Sequence, residues 1–124
     1  MRSGLILLVE DNEANQLLAS SVLELSGYSV EVAGDANEAR SILGRCAPDL
    51  ILMDIQLPGI DGLTFVKQLK AEPATAGIPV VALTARAMSG DRERSLAAGC
   101  NGYIPKPINT RTFVSEVRKF LPSP

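Results

Sequence analysis

Asp54 ends an apolar run, Leu50-Ile51-Leu52-Met53, and opens a turn, Ile55-Gln56-Leu57-Pro58-Gly59. Three other apolar runs also stop at polar groups. Residues 5–9 lead into Glu10-Asp11, residues 80–83 into Thr84, and Gly102-Tyr103-Ile104 toward Lys106-Pro107. If these runs are parallel strands, three carboxylates, a hydroxyl and an ammonium meet at one edge of one sheet. Crowded carboxylates repel unless a cation is present, and hard oxygen ligands of this kind suit Mg²⁺. Asp54 is the best placed nucleophile, because carboxylates form aspartyl phosphates. Mg²⁺ on Asp11 and Asp54, the Lys106 ammonium and the Thr84 hydroxyl could each meet one equatorial phosphoryl oxygen. Ala85 is small and would leave the phosphorus open to attack. Taken singly, each residue has a bland reading. Glu10-Asp11 reads as a polar loop or helix cap, Asp54 as a loop opener, Thr84 as a strand residue and Lys106 as a surface cation. The chemistry rests on their joint placement.

Placing these groups requires alternating strands and helices, and the pattern supplies five of each. The first strand, residues 5–9, lacks polar alternation, as expected where both sheet faces are covered. A helix follows over residues 13–25, with Leu17, Leu18, Ser21, Val22 and Leu25 as its inward face and Gly27 as its stop. Residues 28–33 form a more polar strand, nearer a sheet edge. Asp35 and Glu38 resemble a capping box for a helix that runs to about Cys46, with Ala39, Ile42, Leu43 and Cys46 inward, and Pro48 breaks it. The third strand is 50–54. The third helix, 62–71, turns Leu63, Val66 and Leu69 to the core. Residues 79–84 are the fourth strand, and the fourth helix spans about 89–98. Its Asp91-Arg92-Glu93-Arg94 stretch reads as a solvated charged face. A fifth strand at 102–104 and a helix over about 110–121, with Phe113, Val117, Phe120 and Leu121 inward, complete the pattern. Such alternation implies right-handed crossovers and a parallel sheet with helices on both faces. Ligands then sit outside the carboxyl ends of the strands, where the polar groups already fall.

Composition narrows the chemistry further. The chain has 124 residues, one domain's worth, and can bury a core without disulfides or structural metal. A net charge of −2 argues against nucleic acid as a partner. No apolar stretch reaches membrane-spanning length, and Met1-Arg2-Ser3-Gly4 does not begin a signal peptide, so a cytoplasmic location is expected. Cys46 and Cys100 lack metal-ligand spacing and read as reduced structural thiols. Histidine is absent, which removes imidazole bases and His-based zinc sites. Acid–base and metal chemistry therefore falls to Asp, Glu and Lys.

The chain resembles the response-regulator receiver domains of two-component signalling. The stretches that carry the resemblance are Leu8-Val9-Glu10-Asp11-Asn12, Asp49-Leu50-Ile51-Leu52-Met53-Asp54 and Leu57-Pro58-Gly59-Ile60-Asp61-Gly62. Residues 78–85 and Tyr103-Ile104-Pro105-Lys106-Pro107 belong with them. Within the family it is most similar to small stand-alone regulators of the DivK type and to receivers of hybrid histidine kinases. The resemblance implies one (βα)5 flavodoxin-like domain over residues 1–124, with strand order 2-1-3-4-5 and no attached effector domain. It implies that Asp54 is the phosphoacceptor. Asp11, Asp54 and the Gln56 carbonyl would bind Mg²⁺, with Glu10 acting mainly through a metal-bound water. Lys106 would bind the phosphoryl group, aimed by a cis bond to Pro107. Thr84 and Tyr103 would form the switch pair, and Gln56 and Arg86 would tune the aspartyl-phosphate lifetime.

The expected function is a phosphorylation-driven switch rather than an enzyme acting on other substrates. A sensor histidine kinase or histidine phosphotransferase would supply the phosphoryl group, docking beside the first helix and Pro107 with Asn15, Leu18 and Ala19 as candidate contacts. A downstream target would read the surface of the fourth helix, fifth strand and fifth helix, by a monomer or a phosphorylation-dependent dimer. The main alternative is a docking module that never cycles through phosphorylation, although such modules usually lose an acidic or lysine position and all are intact here. A phosphoester phosphatase would want a second Asp as general acid where Gln56 stands. A flavin site would face phosphate repulsion from Glu10-Asp11-Asn12-Glu13.

Overall fold

Five strands and five helices alternate in the computed structural model, which describes residues 4–57, 59–85 and 90–121. They are β1 (Leu5–Val9), α1 (Glu13–Leu25), β2 (Ser29–Ala33), α2 (Ala36–Leu43) and β3 (Leu50–Asp54). These are followed by α3 (Gly62–Ala71), β4 (Val80–Thr84), α4 (Asp91–Ala97), β5 (Gly102–Pro105) and α5 (Phe113–Arg118). The sheet order is β2-β1-β3-β4-β5, and every pairing is parallel. This is the expected flavodoxin-like order, with the more polar β2 at an edge. Pro58, Arg86 and Ser89 lie outside the described residues, so the turn proline, the second variable position and the expected start of the fourth helix are not part of the structural account.

The apolar runs divide their side chains between two layers, because successive strand residues point to opposite faces. Leu7, Val9, Ile51, Met53, Val80 and Ala82 pack with Ala39 and Ile42 of α2 and Leu63, Phe65, Val66 and Leu69 of α3. Ile6, Leu8, Leu50, Leu52, Val81 and Leu83 pack with Ala19 and Leu23 of α1 and Phe113 and Val117 of α5. The three central strands are therefore apolar on both faces and covered by helices, and their polar groups gather at the carboxyl ends.

The helices differ from expectation in instructive places. On α1 the inward residues are Ala19 and Leu23, with Val22 partly buried, whereas Leu17 and Leu25 are 69% and 90% exposed. The helix carries two apolar stripes on nearly opposite sides. Periodicity finds both and cannot choose between them, and the stripe with small Ala19 approaches the sheet. On α2, Asp35 accepts from the Glu38 N–H at 2.8 Å, but the Glu38 carboxylate reaches the Gly34 N–H rather than that of Asp35. The helix stops at Leu43 with a cap at Gly44, short of Cys46. Helix α5 begins three residues late, since Asn109 closes a turn instead, its side chain accepting from the Arg111 N–H at 3.0 Å.

One close approach bears directly on Asp54. Gly62 starts α3 against the backbone that leaves β3, and its N–H donates to the Ile55 carbonyl at 3.0 Å. A Cβ there would lie 2.5 Å from both the Asp54 carbonyl oxygen and the Ile55 Cα. Backbone on both sides cannot yield as a flexible side chain can. Gly62→Ala is expected to destabilise the fold by about 1–3 kcal/mol. Urea unfolding checks this, through a lowered midpoint at unchanged slope.

Candidate functional site

Parallel register alone brings the acidic residues together. Val9 pairs with Met53, so Glu10 comes level with Asp54 as both strands end. On the other side of β3, Asp54 pairs with Leu83, and Leu83 with Ile104. Thr84 and Lys106 thus follow within two residues of the same level. The Lys106 N–H closes this edge by donating to the Thr84 carbonyl at 2.7 Å. The Lys106–Pro107 bond is cis.

Lys106 joins the two buried carboxylates. Its Nζ lies 2.7 Å from Glu10 Oε1 and 3.0 Å from Asp54 Oδ2. Glu10 is 1% and Asp54 4% exposed. The second oxygen of each carboxylate accepts from backbone: Glu10 Oε2 from the Asn12 N–H at 3.2 Å, and Asp54 Oδ1 from the Gln56 N–H at 2.9 Å. Burial pushes the Glu10 carboxyl above its ordinary value, and the Lys106 hydrogen bond opposes this only in part. Burial would also lower Lys106, but its bonds to Glu10 and Asp54 outweigh that effect and hold the ammonium above its ordinary value.

Asp11 is exposed beside this pair. One oxygen from each of Glu10, Asp11 and Asp54 falls within 4.8 Å of the others. Three carboxylates around one ammonium leave a surplus of negative charge, which a hard divalent cation with oxygen ligands and waters would neutralise. The Gln56 side chain points outward, leaving its backbone as the part that faces Asp54. The loop itself is braced by Gln16, whose Nε2 donates to the Glu10 carbonyl at 2.6 Å. Sequence reading had no signal for that bond. Nor is Glu10-Asp11 the helix cap, since the cap of α1 is Asn12, accepting from the Asn15 N–H at 3.0 Å.

The fourth helix departs most from expectation. Asp91 is not part of a solvated face but is 3% exposed. Thr84 Oγ1 donates to Asp91 Oδ2 at 3.0 Å, and Asp91 Oδ1 pairs with Arg94. The next residue, Arg92, lies over the Tyr103 ring at 5.6 Å from its centroid. Tyr103 is half-buried against the α2–α3 layer. Only Arg92, Glu93 and Arg94 of the charged stretch are exposed. An aspartate starting a short helix seven residues after a buried threonine was the available signal, but it is faint.

A flavodoxin-like sheet with an acidic pocket and a lysine at its carboxyl edge defines a class, and comparison with known proteins agrees. Residues 6–118 match the response regulator receiver domain, and the chain belongs to that family. It is 43% identical over 116 residues to the polar-differentiation response regulator DivK of Brucella anthropi, covering 94% of each chain. Among solved structures it is similar to the receiver domain of a sensor histidine kinase from Pseudomonas aeruginosa, which has a magnesium ion coordinated in its active-site cleft. That likeness has a TM-score of 0.86 at 36% identity and covers 96% of this chain and 98% of the other. The chemotaxis response regulator CheY4 of Vibrio cholerae gives 0.88 at 26%, covering 97% and 100%.

The Lys106 bridge makes a pH-dependent prediction. Lys106→Met leaves Glu10 and Asp54 facing each other without a counter-charge, and should cost roughly 3 kcal/mol at neutral pH in metal-free buffer. Glu10 then keeps its proton to higher pH in the folded state than in the unfolded chain. The folded state binds more protons, so its stability rises as pH falls. The deficit relative to wild type should be largest at and above neutral pH. It should shrink toward the ordinary Glu value of 4.5. On the alkaline side the wild-type Lys106 contribution, intact at neutral pH, fades as pH rises through its raised value. Denaturant unfolding of both proteins between about pH 5 and 8 checks this.

Proposed function

We propose that this receiver accepts a phosphoryl group on Asp54 from the phosphohistidine of a histidine kinase or histidine phosphotransferase. In that step the P–N bond to imidazole breaks and a P–O bond to Asp54 forms, and the departing imidazole takes its proton from solvent. The observation that carries the reading is the Lys106 ammonium held between Glu10 Oε1 and Asp54 Oδ2 at 2.7 and 3.0 Å. It places a fixed cation where phosphoryl charge would develop. Oriented backbone contributes too, since the Gln56 N–H fixes one Asp54 oxygen.

The acidic cluster fits Mg²⁺, with Asp11, Asp54 and the Gln56 carbonyl as the proposed ligands and Glu10 acting through a bound water. When bound, Mg²⁺ supplies charge neutralisation for the phosphoryl oxygens. The chain's own residues do the rest. Lys106 takes a second oxygen and Thr84 donates its hydroxyl to a third, while Ala85 leaves the approach open. Thr84 and Tyr103 then carry the state of Asp54 to the α4–β5–α5 face, where a target protein reads it. The chain turns over only its own acyl phosphate, and Gln56 and Arg86 set how long that lasts. Among the described residues no helix is long and apolar enough to cross a membrane.

Incubation with acetyl phosphate tests the reading by intact mass. A single phosphoryl adduct is expected with Mg²⁺. It should be absent with EDTA and absent in Asp54→Asn. An adduct that survives the Asp54→Asn substitution would contradict the assignment.

A further inference from the structure

We propose that Asp91 is a positioning residue that latches the Thr84 hydroxyl in the unphosphorylated state and so ties the movement of Thr84 to the first turn of α4. The inference rests on the switch reading above. A threonine hydroxyl has one proton to donate, and here that proton goes to Asp91 Oδ2 at 3.0 Å. Thr84 cannot donate to a phosphoryl oxygen on Asp54 without giving up this bond. Both partners are buried, at 1% and 3% exposure, so water does not readily replace the lost contact. Asp91 keeps Arg94 on its other oxygen, and it must either tolerate one missing donor or move with its helix. The same turn sends Arg92 over the Tyr103 ring. Consecutive residues of α4 therefore hold the two side chains proposed to move.

This turn is also weakly anchored. Helix α4 has seven residues, follows Gly90 with φ of +84° at its cap position, and among the described residues has no side-chain cap. A short helix without a cap is inexpensive to shift. Loss of the Thr84 contact would thus be felt by α4 before the better packed elements of the site.

The test is a titration with beryllofluoride, a tetrahedral phosphoryl mimic, at saturating Mg²⁺, followed by amide NMR shifts. Asp91→Ala should lower the half-saturating concentration about fivefold, because the latch no longer opposes inward movement of Thr84. The gain should vanish in a Thr84→Ala background, since it acts through that hydroxyl. If Asp91→Ala does not fold, Asp91→Asn should give a smaller gain in the same direction. Unchanged or weaker binding in the Asp91 variant overturns the latch, as does an equal gain without the Thr84 hydroxyl. Wild-type protein that takes up no beryllofluoride overturns the receiver reading itself and the latch with it. Normal wild-type uptake with unresponsive variants overturns the latch alone.

Discussion

Lys106 stands between Glu10 and Asp54, and the carboxyl edge of the sheet depends on it. Two carboxylates buried side by side cannot both stay charged in a low-dielectric pocket without a cation close at hand. The parallel register makes this crowding unavoidable, because β1 and β3 end level with each other. Lys106 arrives from the far side of β4, just beyond β5, and ties three strands together at 2.7 and 3.0 Å. The bridge serves stability and chemistry together. It makes the buried acids tolerable while keeping Asp54 oriented and next to a cation.

The site has a rigid half and a softer half. Glu10, Asp54 and Lys106 sit on or directly after covered strands, and Gly62 presses α3 against the backbone at Asp54. Thr84 ends an equally buried strand, yet its hydroxyl is directed to α4, a seven-residue helix capped by a glycine. Under the proposed reading, the rigid half receives the phosphoryl group and the soft half reports it. A two-state element needs small differential contacts of this kind, because an equilibrium shifts only by the difference in interaction between its states.

Much of this arrangement was legible in the sequence, for a physical reason. Strands covered on both faces are uninterrupted apolar runs, so Leu50–Asp54 and Val80–Thr84 announce both their path and their last polar residue. The fold rule for parallel sheets then brings those ends together. Helix surfaces were less readable. Leu17, Leu18 and Leu25 outnumber the leucines of the stripe formed by Ala19, Val22 and Leu23, but that thinner stripe faces the sheet. Asp91 was hidden by its neighbours, since three exposed charges follow it and only the tertiary approach of Thr84 separates it from them. The Gln16 bond to the Glu10 carbonyl was equally unreadable, as side chain to backbone contacts across a loop leave no periodic trace.

The central claim is that the Asp54 carboxylate itself forms an acyl phosphate, and borohydride trapping addresses it most directly. An aspartyl phosphate is a mixed anhydride, which borohydride reduces to homoserine, whereas phosphoesters of Ser, Thr or Tyr are left intact. Peptide mapping by mass spectrometry after phosphotransfer and reduction should find homoserine at position 54 and nowhere else. Homoserine at Asp11 or Glu10's reduced analogue in place of Asp54, or label that resists reduction, would contradict the account.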